Sequence, residues 1–450
     1  MGFKRFMALF ITMVSIVLLT VSSLLVSPSV AAVTSGGNIG LETTKSLEDI
    51  IAPNQEALDK LVTNAFDLTD YVSDGNDDYL LDGVSASGIN SLIERFEAEG
   101  EFANSVAARA LKTHITAVEI YENQGNSDKL VKHMNGFEVL LEHQKNSEVI
   151  SGKAYQILQS YAVELVDKWD TAFSSERAMK HIHNLSVGIG PRVTGTAEER
   201  LGVDYIKNEF EKLGYDVSTQ EFDIRGDLKS QNVIAVKKPE GVDNAEIIYV
   251  TSHHDSVRNS PGANDNGSGT STVLEMARAM QNQAVNKEVR FIAFGAEEIG
   301  LVGSTYYVSQ LSQEEIGRSI ANFNMDMVGT NWEPASQLYV NTVDGKSNLV
   351  WTSVDAAAKE LNLPDNLLNL YQFSRSDHVP FHNVGIDAAL FIWMEPGTAR
   401  LEPYYHTPQD TIENVSPERI QIVGDILQSA VTELVAEQAT DQVVTMQEAS

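Results

Sequence analysis

Residues 246–303 read EIIYVTSHHDSVRNSPGANDNGSGTSTVLEMARAMQNQAVNKEVRFIAFGAEEIGLVG, and this stretch decides the fold. Two short β-rich runs, 247–251 and 289–294, each end at polar residues, the first at HHD (253–255) and the second at EE (297–298). A Gly-rich loop between them opens onto a helical pattern at 270–280. In open α/β sheets, ligands bind outside the carboxyl ends of the strands. The stretch therefore places imidazole and carboxylate groups where such a fold builds its sites.

Composition and charge exclude several classes of function. The 450-residue chain is 42% hydrophobic, which is enough for a sizeable core, and it contains no cysteine. Disulfides and thiolate metal ligands are therefore excluded. The formal net charge of −31 argues against a nucleic-acid partner, because phosphate binding requires clustered Lys and Arg.

The chain divides into segments that differ in composition and in the spacing of apolar residues. Residues 1–32 combine a basic start, an apolar run and small residues, which predicts a secretory signal peptide, an extracellular location and no membrane attachment after cleavage. The alternative is an uncleaved membrane anchor, since the apolar run is nearly long enough to span a bilayer. A polar N-terminal segment and linker at 33–86 contains a helical pattern near 47–66. Residues 87–172 show apolar positions at helical spacing, and we predict an all-helical accessory module there. The positions expected in its core include Phe96, Val106, Leu111 and Ile115. A polar tail occupies 438–450.

From residue 173 to 437 strand-like and helix-like patterns alternate. Strand patterns lie at 217–222, 232–236, 320–325 and 388–393, besides the two in the central stretch. Helical patterns lie at 178–187, 198–213, 348–361 and 417–436. In the second of these, the apolar residues lie largely along one face, and they are Leu201, Val203, Ile206, Phe210 and Leu213. Such alternation predicts an α/β domain with a mixed, mostly parallel central sheet flanked by helices.

Candidate metal ligands follow several of these strands. His253 and Asp255 follow the first strand of the central stretch, Glu297 and Glu298 follow its second, and Asp326 follows the strand at 320–325. Asp265 lies in the Gly-rich loop and His406 in a late loop. Imidazole nitrogen and carboxylate oxygen are good zinc ligands. Any one of these residues alone fits a capped turn or a surface ion pair, whereas their joint occurrence at strand ends favours a site.

Seven motifs occur in order: IGPRVTGTAEE, SHHDS, GANDNGSG, FGAEEIGLVGS, NMDMVG, SDHVPF and YYHTPQDT. With these motifs the chain from about 175 to 437 resembles the zinc aminopeptidases of family M28 in clan MH, of the bacterial leucyl aminopeptidase type. The preceding module resembles a short helical module appended to secreted hydrolases of Gram-positive bacteria. Its expected contacts are cell-wall polymer or the catalytic domain.

The M28 resemblance implies two zinc ions per chain. It places His253 and Asp326 on one ion, Glu298 and His406 on the other, and Asp265 between both. It also implies that the peptide bond between Asp265 and Asn266 is cis.

The same resemblance implies the remaining roles at the site. Glu297 matches the general base, and Asp255 matches a carboxylate that orients His253. His378 is either an oxyanion donor or a structural residue. A tyrosine that acts as oxyanion donor in some members is replaced by Phe373, and the nearby Tyr371 is out of register. The oxyanion donor therefore stays open.

The implied function is a secreted di-zinc aminopeptidase, in which a metal-bound hydroxide attacks the first peptide bond of substrates with a free amino terminus. A carboxypeptidase of the same clan, a single-zinc glutaminyl cyclase and a binding protein on a retired peptidase scaffold are the alternatives. The sequence does not indicate the preferred amino-terminal residue or the oligomeric state.

Overall fold

The computed structural model describes residues 84–436. The predicted signal peptide at 1–32, nearly all of the predicted segment at 33–86 with its helical pattern, and the predicted tail at 438–450 lie outside these residues. In the range 84–436 no helix combines the length and apolar character needed to cross a membrane.

The helical module consists of four consecutive helices: α1 Ala86–Glu99, α2 Ser105–Asn123, α3 Ser127–Asn146 and α4 Gly152–Trp169. A Ser or Asn side chain before each helix accepts a hydrogen bond from a backbone N–H of the first turn. Predicted core positions such as Phe96, Leu111 and Ile115 are fully buried. The expectation that Val106 joins this core is wrong, since its side chain is 68% exposed, one position off the buried stripe of α2.

The second part of the chain alternates strands and helices, as expected. Its strands are β1 Asp216–Arg225, β2 Leu228–Lys237, β3 Ile247–His253, β4 Glu288–Phe294, β5 Ser319–Met325, β6 Gln337–Thr342, β7 Leu368–Gln372 and β8 Asp387–Met394. Its helices are α5 Ser175–His183, α6 Ala197–Lys212, α7 Gly269–Met280, α8 Val302–Gln310, α9 Gln313–Arg318, α10 Leu349–Glu360, α11 His378–Asn383 and α12 Pro417–Ala436.

The strands form one sheet in the order β1-β2-β4-β3-β5-β8-β6-β7. The central strands β4, β3, β5 and β8 run parallel, whereas β2 and β6 join them in antiparallel pairs. This arrangement confirms the predicted mixed, mostly parallel sheet flanked by helices. Because β3, β4 and β5 are parallel, their carboxyl ends meet at one edge of the sheet, where the predicted ligands lie.

The core covers both faces of the sheet. On one face α5, α6, α7, α10 and α12 pack on the strands, and on the other face Tyr307 of α8 and Phe381 of α11 pack against Tyr249 and Phe294. All seven residues of β3 are buried, as expected of a central parallel strand. In α6 the expected apolar face was partly wrong, since Leu201 is 55% exposed while Val203, Ile206 and Phe210 form the buried stripe.

Candidate metal centre

The ends of three strands and two loops bring six side chains into two neighbouring groups. His253 ends β3, Asp326 directly follows β5, and the two glutamates follow β4. Within each group the ligand atoms lie within 4.8 Å of one another, and the groups are His253, Glu297 and Asp326, and Asp265, Glu298 and His406. Every residue predicted as a ligand or as the base is therefore part of this cluster.

Asp265 lies between the two groups and directs one carboxylate oxygen to each. Its Oδ1 is 3.4 Å from Nε2 of His253, and its Oδ2 is 3.1 Å from Nε2 of His406. Nε2 of His253 is also 3.5 Å from Oδ1 of Asp326, and Nε2 of His406 is 3.0 Å from Oε2 of Glu298. One carboxylate thus connects two separate sets of donors.

The pKa values of the side chains in this cluster are shifted by burial and by the charges of their neighbours. Burial alone would raise the pKa of Asp265, but its contacts with His253 and His406 outweigh burial and lower this pKa to about 2. Burial alone would lower the pKa of His406, yet its contacts with Asp265 and Glu298 raise it to about 10. Burial, followed by the charge of Asp265, raises the pKa of Glu298 to about 7.

The loop carrying Asp265 is held from two directions. Asp410 accepts hydrogen bonds from the backbone N–H groups of Asn264 (2.7 Å) and Asp265 (3.1 Å). Asn266 donates from Nδ2 to the carbonyl of Met325 (2.9 Å), the last residue of β5. The peptide bond between Asp265 and Asn266 is cis, as predicted. The hydrogen bond from Asn266 to Met325 ties the loop to the strand end that precedes Asp326.

Asp255 holds more of the site than predicted. Nδ1 of His253 lies 3.2 Å from the backbone carbonyl oxygen of Asp255 and 3.5 Å from Oδ1 of its carboxylate. The same carboxylate also accepts the backbone N–H groups of Glu297 (3.0 Å) and Glu298 (3.3 Å), and the hydroxyl of Thr194 (2.9 Å). Because one buried carboxylate contacts both β3 and the turn after β4, it sets the spacing between the histidine and the two glutamates.

Glu297 is close enough to His253 and Asp326 to share a metal with them. Burial raises the pKa of Glu297 well above its usual range, with further contributions from Asp377 and Asp326 that His253 only partly offsets. A carboxylate with a raised pKa is a stronger base. The geometry thus leaves two roles open for Glu297, ligand and base.

Two residues that sequence reasoning did not single out position the ligands. Ser376 donates from Oγ to Oδ2 of Asp326 (2.7 Å) and accepts from Nδ2 of Asn324 (2.9 Å). Asp410 holds the Asp265 loop, as described above. Both lie in quoted motifs, SDHVPF and YYHTPQDT, where only the neighbouring histidines were assigned a role. Their position inside these motifs was the one available indication.

His378 is fully buried, and its Nε2 lies 2.9 Å from the carbonyl oxygen of Phe373. Burial lowers the pKa of His378 to about 4, so the ring is neutral at pH 7. The contact with its own loop favours the structural alternative. Tyr371 packs against Tyr339 with ring centroids 5.5 Å apart, whereas Tyr405, which sequence reasoning did not consider, stacks on His406 at 3.7 Å.

The cluster has the donor chemistry of a zinc pair. Imidazole nitrogens and carboxylate oxygens are suitable zinc ligands. Within residues 84–436, Oε1 of Glu298 is buried without a hydrogen-bond partner, and the buried Oδ2 of Asp265 makes no well-formed hydrogen bond although it lies 3.1 Å from Nε2 of His406. A buried acceptor left unpaired costs about 1–3 kcal/mol, more when charged. Cations at this cluster would satisfy both oxygens, so the residues fit the implied metals.

Comparisons with known proteins agree with this geometry. The model of peptidase family M28 matches residues 232–431, and the model of the FIMAH domain matches residues 86–167. Aminopeptidase YwaD of Bacillus subtilis is 47% identical over 272 residues, which are 59% of this chain and 59% of that protein. The chain thus spans about three-fifths of the length of this relative.

Solved structures show the same fold. A zinc aminopeptidase from Bacillus subtilis superimposes with a TM-score of 0.58 at 36% identity, over 60% of this chain and 97% of the other. A glutaminyl cyclase from Porphyromonas gingivalis superimposes with a TM-score of 0.52 at 22% identity, over 58% of this chain and 99% of the other, and shares the fold alone. With its motifs, its sheet and its cluster of strand-end ligands, the chain belongs to peptidase family M28.

Proposed function

We propose that this protein is a zinc aminopeptidase that removes the amino-terminal residue from peptides at a two-zinc centre. The observation that carries the proposal is the placement of Asp265, whose two carboxylate oxygens face two separate donor groups. A single cation would use one group only. The similarity to a zinc aminopeptidase from Bacillus subtilis supports the choice of metal and of reaction.

In this proposal His253 and Asp326 hold one ion, Glu298 and His406 hold the other, and Asp265 bridges them. The three carboxylates supply three negative charges against the four positive charges of two zinc ions. When bound, zinc would polarise the scissile carbonyl and lower the pKa of an attacking water. Asp255 and Ser376 keep the ligands in place through the contacts described above.

Glu297 is proposed as the general base. Its carboxylate takes a proton from the attacking water and delivers that proton to the leaving amine. Asp255 fixes the backbone of Glu297 through the 3.0 Å hydrogen bond, so the carboxylate is aimed independently of substrate. Its carboxylate is partly buried and lies beside His253 and Asp326.

A pair of glutamine variants separates the two roles left open for Glu297. Glu297→Gln removes a proton acceptor and should retain two zinc ions per chain while turnover of an aminoacyl-anilide falls by several orders of magnitude. The matched variant Glu298→Gln should lose about one zinc ion per chain. Zinc is quantified after gel filtration into metal-free buffer. Loss of zinc from Glu297→Gln in step with activity would make Glu297 a ligand and refute its assignment as base.

The alternatives within the clan are separated by substrate and by metal count. The segment between Asp326 and His406 is occupied by β6, β7, β8, α10 and α11 of the core, which disfavours the lid domain expected of the related carboxypeptidases. A glutaminyl cyclase would bind one zinc and cyclise amino-terminal glutamine. A panel of aminoacyl-anilides, amino-terminally blocked peptides and glutaminyl peptides decides between them. Absence of activity on all of these would favour a binding protein.

We further propose that the protein is secreted. The basic start and apolar run of residues 1–32 support a cleaved signal peptide. Amino-terminal sequencing of protein from the culture medium should find a start after Ala31 or Ala32. A start at Met1 in protein retained by cells would contradict secretion.

A further inference from the structure

The helical module meets the α/β domain in a junction, which we define as residues 167–175. Its backbone is held by side chains more than 100 positions away in the chain. The junction begins in the last turn of α4, where backbone carbonyls have no partner inside the helix. Residues of α7 and of the turn after α7 supply these partners, and residues of α12 bind the segment that follows α4.

Arg278 of α7 is the central contact. Its Nη1 donates to the carbonyls of Asp167 (3.0 Å) and Asp170, and its Nη2 donates to the carbonyl of Ala172 (2.5 Å). A cation at the carboxyl end of a helix also interacts favourably with the helix dipole. Arg278 is only 8% exposed, so these hydrogen bonds are largely shielded from water.

The same arginine is fixed from the opposite side. Glu275, fully buried one turn earlier in α7, accepts from Nε and Nη2 of Arg278, both at 2.8 Å. Glu275 also accepts the backbone N–H of Ser174 (2.9 Å). A bidentate arginine–carboxylate pair has a fixed orientation. The guanidinium therefore presents its remaining donors to α4 at a defined angle.

Further side chains bind the backbone of the junction before and after the residues that Arg278 contacts. Gln281 and Asn282 donate to the carbonyl of Lys168 at 2.7 and 2.5 Å. Gln421 and Gln428 of α12 bind the N–H or carbonyl groups of residues 171, 173 and 175.

Phe173 anchors the junction in the core. Its side chain is 4% exposed and belongs to the core of the α/β domain. It packs so closely on Gly424 of α12 that a Cβ there would lie 2.1 Å from the ring.

A flexible linker keeps its backbone solvated, whereas the carbonyls of residues 170–173 all accept hydrogen bonds from distant side chains. We propose that this junction fixes the helical module in one orientation on the α/β domain. The module is then a rigid arm of the mature protein, neither a tethered domain nor a removable prosegment. The inference stands on contacts remote from the metal centre and does not depend on the proposed reaction.

The absence of cysteine makes the test direct, because introduced cysteines are the only thiols for labelling. In the full chain, nitroxide labels are attached to Val139→Cys in the module and Leu201→Cys in the α/β domain, which are 70% and 55% exposed. Double electron–electron resonance should give a distribution of label-to-label distances as narrow as that of a control pair within the α/β domain, Leu201→Cys and Val242→Cys. A distribution several times broader would overturn the proposal.

Arg278→Ala, added to the labelled pair, should broaden the distance distribution at least twofold. Arg225→Ala, at an exposed arginine at the end of β1, is the matched control and should change nothing. An unchanged width in folded Arg278→Ala would refute the role given to this arginine. Should that variant fail to fold, Gln281→Ala combined with Asn282→Ala removes the contacts to Lys168 alone and is expected to broaden the distribution more weakly.

Discussion

Replacing Arg192 by lysine tests how the loop carrying Asp265 is held. Arg192 is fully buried, and its guanidinium donates to five backbone carbonyls at 2.8 to 3.0 Å, those of Leu185, Gly190, His254, Pro261 and Gly262. Two of these carbonyls lie just before the loop and one lies beside His253. The side chain therefore fastens both ends of the segment between two proposed ligands.

The expected cost follows from counting donors. Four N–H groups of the guanidinium serve the five carbonyls, because Nη1 carries two hydrogens and faces three carbonyls. A lysine ammonium has three donors on one nitrogen, so at least one carbonyl loses its partner. A hydrogen bond to a charged group contributes about 1.5–3 kcal/mol. The free energy of unfolding should therefore fall by at least about 1.5–3 kcal/mol in Arg192→Lys, which is a sizeable part of the total stability of about 5–15 kcal/mol typical of a folded protein.

Urea unfolding in the presence of a chelator measures this loss without the contribution of metal binding. Arg200→Lys is the matched control, because Arg200 is exposed and has one long hydrogen bond, 3.4 Å to the carbonyl of Gly195. The control should stay within about 0.5 kcal/mol of the wild type. An Arg192→Lys protein within about 1 kcal/mol of the wild type would show that the buried guanidinium does not hold the loop.

Three further predictions concern other parts of the structure. Asp255→Asn cannot accept both N–H groups of the glutamate turn, so zinc affinity should fall about 10–100-fold in a chelator competition; a change below twofold would contradict its role. Burial raises the pKa of Glu199 from 4.5 to about 7, so the folded state keeps a proton that the unfolded chain releases, and wild-type stability falls as pH rises through that window. Glu199→Gln should therefore gain stability relative to the wild type between pH 4.5 and 7 in thermal unfolding, and a constant difference would refute this. A chain beginning at Asp170 should bind zinc, whereas one beginning at Ser174 lacks the Phe173 ring and should be less stable by about 3–5 kcal/mol; equal melting temperatures would place Phe173 outside the core.

The centre of the fold was predictable because its patterns are local. The strands β3, β4 and β5 are apolar runs that end in polar residues, and each was predicted within about two residues of its observed ends. The helix α12 begins at a proline and carries a regular apolar stripe, and its predicted and observed bounds coincide. Since parallel strands end at one edge, these patterns predicted that His253, Glu298 and Asp326 lie close together, whereas the places of Asp265 and His406 came from the resemblance to family M28.

The strands β6 and β7 at one edge of the sheet and the helices α8, α9 and α11 were not predicted as elements. Strand β7 reads LNLYQ and is only partly buried, so its pattern is not that of a core strand. Helix α8 reads VGSTYYVSQ, with polar residues between its buried ones and no regular apolar stripe. Arg192 lay in a quoted motif, but its partners lie up to 70 positions away, and only the folded chain shows that it binds them.

The buried carboxylates near the candidate metal centre explain why this fold requires positive charge from bound cations or protons. Burial raises the pKa of Glu298, Asp377 and Asp410 to about 7, and neighbouring carboxylates add to the effect. The nearby buried cation Arg192 supplies one positive charge, and its guanidinium is committed to backbone carbonyls. Carboxylates held this closely need further positive charge, which either protons or divalent cations can supply. Zinc and a proton therefore compete for the carboxylate of Glu298, so zinc binding should release protons near neutral pH.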